Sequence, residues 1–137
     1  MARVFLDTNL LVGRIDPGDP DKRARVGAVL DDPGHTFVVS TQVLLELYAV
    51  ATRKLVPPLA PASARELVGQ IALLDVVPAD ASLVLGALAT AEACQLSGWD
   101  AMILEAAAQS GCTELWAEDL ATGATLRGVR IVNPLAD

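Results

Sequence analysis

Four carboxylates carry the chemistry open to this sequence: Asp7 in VFLDTN, Glu46 in LLELYAV, Asp100 in SGWDAMIL and Asp119 in LWAEDL. Asp7 and Asp119 each follow a short apolar run that reads as a buried strand, while Glu46 and Asp100 fall early in helical patterns. In a parallel α/β unit the helices run opposite to the strands. Strand ends and helix starts therefore share one edge of the sheet, the edge where such folds bind ligands. Carboxylates gathered there repel and raise one another's pKa. Divalent cations remove that penalty, and an all-oxygen donor set suits Mg2+ or Mn2+ rather than zinc. The chemistry such a set supports is metal-assisted cleavage of a phosphodiester.

Each acid also has an ordinary structural use. Asp7 could cap a helix beginning near Leu10, and Asp119 could cap the short turn of Leu120 to Thr122. Asp100 could complement a helix dipole. Glu46 could be solvated and paired with a cation such as Arg53. A cap needs no company, however, and here all four acids reach one rim. Thr8 and Asn9 could orient the Asp7 carboxylate or a metal-bound water, or could simply form the turn; Glu118, beside Asp119, could support the metal acids from behind or be solvated, and solvation is the expectation.

The elements that must position these groups are legible as an alternation. Apolar runs at Arg3 to Leu6, Thr36 to Val39, Asp75 to Val77, Glu114 to Ala117 and Arg130 to Val132 read as strands, with helical patterns between them. That order predicts an α/β fold with a mostly parallel sheet covered on both faces. One helix spans Asp21 to Leu30. Ser40 or Thr41 caps the next, which carries Glu46 at the edge of the stripe Val43, Leu44, Leu47, Val50 and Ala51 and runs to the break at Pro57 and Pro58. A third has Pro61 near its start, and Asp80 caps a fourth, rich in Leu and Ala. The helix of Asp100 ends near Gly111, and its face with Ile103, Leu104 and Ala107 should pack on the core, putting the carboxylate at a buried rim. No repeat or linker divides the chain, so residues 1–137 read as one domain.

Bulk properties narrow the classes further. A chain of 137 residues, 53% hydrophobic and 20% charged, suffices for one core, which Leu, Val and Ala must fill because aromatics make up only 4%. No apolar run is long enough to span a bilayer, and no secretory leader is evident, so a cytoplasmic protein without a membrane partner is expected. Cys94 and Cys112 lack metal-site spacing. The single His35, read as part of a loop, and the absence of GxSxG argue against a nucleophile triad. No GxGxxG follows the first strand and no GxxxxGK[ST] is present, which argues against dinucleotide and triphosphate sites. A phosphatase using Asp7 as nucleophile would want a second Asp where Asn9 stands. The net charge of −7 opposes broad electrostatic capture of nucleic acid, although two divalent ions would return four positive charges to the site. Arg14, Arg53 and Lys54 are the cations best placed in sequence to meet RNA phosphates.

With these motifs in order, the sequence resembles the PIN-domain ribonucleases, and among them the VapC-type toxins of bacterial toxin–antitoxin pairs. FLDTNLLV resembles the opening motif with its metal-binding Asp7, QVLLELYAV carries the second acid at Glu46, SGWDAMILEAAA the third at Asp100, and LWAEDLATG the fourth at Asp119; GVRIVNPL is similar to the tail of one subgroup. The resemblance covers nearly the whole chain. It implies a three-layer α/β/α sandwich with about five strands. It further implies Mg2+- or Mn2+-dependent cleavage of RNA, one or two metals held by the four acids, a homodimer, and a cognate antitoxin that inserts a segment into the cleft. A PIN-like module that binds RNA or protein without turnover is the alternative.

Overall fold

In the computed structural model, which describes residues 2–136, the chain folds as strands alternating with helices. Strand β1 (Ala2–Leu6) leads through helices α1 (Thr8–Ile15) and α2 (Pro20–Leu30) to β2 (His35–Ser40). Helices α3 (Thr41–Arg53) and α4 (Pro61–Ile71) lead to β3 (Asp75–Val77), and α5 (Ala81–Cys94) and α6 (Gly98–Gln109) to β4 (Glu114–Trp116); β5 (Thr125–Leu126) and β6 (Val129–Val132) follow. The sheet order is β3-β2-β1-β4-β6-β5, parallel throughout except for the antiparallel β5–β6 pair. Helices α5 and α6 pack on each other, with α6 against β2, β4 and β6, while α1 packs on α2 and α3, and α3 on α4. The result is a three-layer α/β/α sandwich.

The central strand shows why the sequence folds this way. Val4, Phe5 and Leu6 are consecutive and all buried, as a strand covered on both faces requires. They join a core that runs through Val38 and Val39 of β2, Leu115 of β4, Ile131 of β6, Leu10, Leu47 and Leu104. Polar residues then start the helices. The side chains of Asp19, Ser40, Asp80 and Ser97 each accept a backbone N–H from the first turn of the helix they precede. Each such cap contributes about 0.5–2 kcal/mol.

The structure departs from the sequence expectation in several places. The sheet has a sixth strand, β5, whose two residues are too short for any periodicity. It is made by a hairpin turn at Arg127 and Gly128, both with positive φ (54° and 76°). Helix α1 begins at Thr8 rather than near Leu10, and α3 ends at Arg53, before the proline pair. His35 opens β2 instead of lying in a loop, its ring edge-on to Trp116 at 5.0 Å.

What positions a site is the strand order. From β1 the chain builds outward to β2 and β3 on one side, then crosses to β4 on the other. The reversal point lies between the carboxyl ends of β1 and β4, where open α/β sheets form their binding crevice.

Candidate active site

Asp7 stands at the end of β1, beside that crevice. Its backbone N–H donates to the carbonyl of Trp116 on β4 at 3.1 Å, which ties it to the neighbouring strand. Its side chain caps α1, Oδ1 accepting the Thr8 N–H at 2.8 Å. The buried Thr8 hydroxyl in turn donates to Glu46 Oε2 at 2.9 Å, while Gln42, one turn earlier on α3, donates to Glu46 Oε1 at 3.1 Å. Both oxygens of Glu46 are thereby oriented, one from α1 and one from its own helix. Asn9 Nδ2 donates to Asp119 Oδ2 at 3.3 Å and links the segment leaving β4 to α1. Asp100 lies in the first turn of α6, its N–H accepted by the Ser97 hydroxyl at 3.1 Å.

Asp7, Thr8, Glu46 and Asp100 line one open cleft of about 480 Å3, with Arg53 and Lys54 from the end of α3 and Trp99 from the start of α6. Asp119, on the segment after β4, does not line the cleft itself; it is joined to it through Asn9 and through its repulsion of Asp7. Burial pushes the Asp7 carboxyl up to about 6; the Thr8 backbone hydrogen bond pulls it down, and repulsion from Glu46, Asp100 and Asp119 adds to the rise. Asp7 therefore feels the charge of all three other acids. None of the ion pairs among the described residues includes any of the four. Their carboxylates supply only hard oxygen donors, and a mutually repelling set, half-buried at Asp7 and Glu46 and exposed at Asp100 and Asp119, without a paired cation fits a divalent ion of the Mg2+ or Mn2+ kind. As the side chains stand, no group of three or more His, Cys, Asp or Glu among the described residues is gathered tightly enough to hold a metal ion.

All four acids lie around the crevice, with local surroundings that differ from the sequence reading. The core-facing side of α6 is buried at Ala101, Ile103, Leu104 and Ala107, yet Asp100 itself is exposed. Glu46 bonds Thr8 and Gln42 rather than Arg53. Glu118 is not solvated: it is mostly buried and pairs with Lys22 of α2 at 2.8 Å, while its Oε1 is buried without a partner. Arg14 lies away from the cleft and pairs with Asp31 at 3.2 Å. Gln42 and Trp99 were not singled out in the sequence. Gln42 has a readable signal, its four-residue spacing from Glu46, whereas Trp99 is marked only by standing next to Asp100.

The family model of the PIN domain matches residues 4–121. No curated protein matches the chain. Among solved structures, VapC20 of Mycobacterium tuberculosis, a sarcin–ricin loop cleaving toxin, is similar at 20% identity with a TM-score of 0.66, over 86% of this chain and 91% of that one. A toxin–antitoxin complex from Klebsiella pneumoniae is similar at 17% identity and TM-score 0.70, over 96% and 97%. DNA-bound VapBC from Salmonella typhimurium is similar at 24% identity and TM-score 0.63, over 96% and 97%.

Proposed function

The chain belongs to the PIN domain family, and from that premise we propose that it is a Mg2+- or Mn2+-dependent endoribonuclease, the toxin of a toxin–antitoxin pair. One observation carries the reading. Acids from β1, α3, α6 and the segment after β4 surround the crevice between β1 and β4, and Asp7 is repelled by the other three. A set of caps has no reason to converge in this way.

Asp7, Glu46, Asp100 and Asp119 would hold one or two divalent ions. Held by these four acids, such ions would supply an acidified water and charge compensation for phosphodiester hydrolysis. The chain's own part is orientation. Thr8 and Gln42 fix the two oxygens of Glu46, Asn9 steers Asp119, and the β1–β4 backbone bond at Asp7 holds the central carboxylate in place. Arg53 and Lys54, in the same cleft, are suited to RNA phosphates that flank the scissile one.

The similarity to toxin–antitoxin complexes supports an antitoxin as protein partner. Cationic antitoxin side chains would be attracted to an acidic cleft on a chain of net charge −7. A homodimer and one domain over residues 1–137 belong to the same reading, the latter supported by a single sheet over a largely continuous core. Cys94 and Cys112 are free thiols, which suits the cytoplasm. No helix among the described residues is long and apolar enough to cross a membrane.

The test is a titration of Mn2+ and Mg2+ into purified protein, stripped of any antitoxin, with labelled single-stranded RNA, beside Asp7→Asn and Asp100→Asn. Cleavage should require metal and fall at least 100-fold in both variants, on the order of what one catalytic electrostatic contact supplies. Metal binding by the wild type without cleavage of any RNA would favour the module that binds without turnover. Full activity in Asp7→Asn would remove the site assignment.

A further inference from the structure

Trp99 has no role in the scheme above, and its placement is unusual for this chain. Of five aromatic residues (two Trp, one Tyr and two Phe), Phe5 and Trp116 are buried and Phe37 and Tyr48 half-buried. Trp99 alone is strongly exposed, at 71%. A chain that is short of aromatics has left one of its two tryptophans at the surface, directly before Asp100. Its backbone is firmly held: Ser97 caps the turn through Asp100, and the fully buried Ala101 follows, its N–H bonded to the Ser97 carbonyl at 2.9 Å. The ring lines the same cleft as Asp7, Glu46 and Asp100, and that cleft also holds Arg53 and Lys54, which take part in none of the ion pairs among the described residues.

We propose that Trp99 is a stacking platform for an unpaired nucleobase next to the phosphodiester held at the acids, and so selects single-stranded RNA at the cut. The inference rests on the ribonuclease reading and deepens it. Proteins that bind single strands combine cations tracking the backbone with aromatic faces on which bases stack, and this cleft offers both within reach of the acids. A base inside a duplex has both faces covered by its neighbours, so a platform of this kind rewards only a base already out of the stack. Trp99 also borders an apolar hollow with Leu45 and Ala49, and another with Val84, Leu88 and Met102. A protein covering those hollows is the competing occupant. The two cations in the acid cleft favour nucleic acid there.

The experiment compares wild type, Trp99→Phe and Trp99→Leu on single-stranded RNA oligonucleotides made abasic at one position at a time. For wild type, removing the stacked base should lower kcat/KM by roughly 5- to 150-fold at one position beside the cut. Trp99→Leu should lose a similar factor on intact RNA and be indifferent to the abasic position, while Trp99→Phe should keep most of the wild-type profile. A Trp99→Leu loss that simply multiplies with the abasic loss would overturn the proposal, as would unchanged kcat/KM. So would a change in molar mass by light scattering with the abasic profile intact, which would assign Trp99 to a protein interface. Fluorescence provides an arm independent of cleavage. Trp116 is buried, so single-stranded RNA added with Ca2+, which restores positive charge at the acids, should quench wild-type emission and not that of Trp99→Phe; RNA that binds, by filter retention, without quenching overturns the platform. Quenching by RNA in a wild type that cleaves nothing would sink the ribonuclease reading alone.

Discussion

The Asp7 carboxyl is pushed up to about 6 by burial and by its three acidic neighbours, whereas in an unfolded chain it would titrate near 3.8. Between those values the folded state binds the extra proton, so stability falls as pH rises through the window, and above about 6 the whole penalty is present. A shift of about two units corresponds to roughly 2–3 kcal/mol. Asp7→Asn removes the charge and keeps an equally good helix cap. Metal-free Asp7→Asn should therefore melt above wild type at pH 7, with the gap closing below pH 4; equal melting temperatures at pH 7 would contradict the account. The same proton competes with a cation, so at limiting metal the apparent affinity should weaken up to about tenfold per pH unit below about 6. At this scale the sequence shows which groups have chemistry, but not their surroundings. The four acids were readable from type and position. The Lys22–Glu118 pair joins residues 96 apart, and nothing local announces it. Trp99 escaped because residue type alone suggests core for a tryptophan, and only the fold reveals that this one is outside.

That ion pair belongs to the scale of elements, because it fastens α2 to the segment that carries Asp119. Helices α1 and α2 cross closely at Gly13, where a Cβ would meet Val26 Cγ2 at 3.1 Å and Lys22 Cε at 3.3 Å. The Lys22 stem thus lies over Gly13 on its way to Glu118. Lys22→Met keeps the stem and leaves a largely buried carboxylate without its cation, a loss of about 1–3 kcal/mol. Freed of that tie, Asp119 should be held by Asn9 alone. We expect a lower melting temperature and a severalfold higher metal concentration for half-maximal cleavage, with Lys22→Arg intermediate. Lower stability with an unchanged metal requirement would make the pair structural only. Most elements were legible because long amphipathic helices and buried strands have strong periods. The weakest one was not: β5 exists through the Arg127–Gly128 turn and its pairing with β6, and Arg127 is anchored by two hydrogen bonds to the buried Glu105. Those are tertiary contacts that two residues of sequence cannot encode by themselves.

Over the whole molecule, acidity and exposed apolar surface occur together. The net charge is −7, yet Leu85 is 68% and Leu88 51% exposed on α5, and Leu45 is 71% exposed on α3. An apolar helical surface of this kind suits a second copy or another protein. If α5 joins two copies, Leu85→Asp should shift the mass measured by light scattering from dimer to monomer, and salt should strengthen the wild-type dimer by screening like charges. A variant that remains dimeric would exclude α5 as the joint. The strand order bears on assembly as well. Its two outer strands, β3 and β5, have three and two residues. Such borders present few open backbone groups to a foreign strand. The sheet is poorly suited to growing by accretion, and copies held at high concentration should meet through helices and stay free of fibrils.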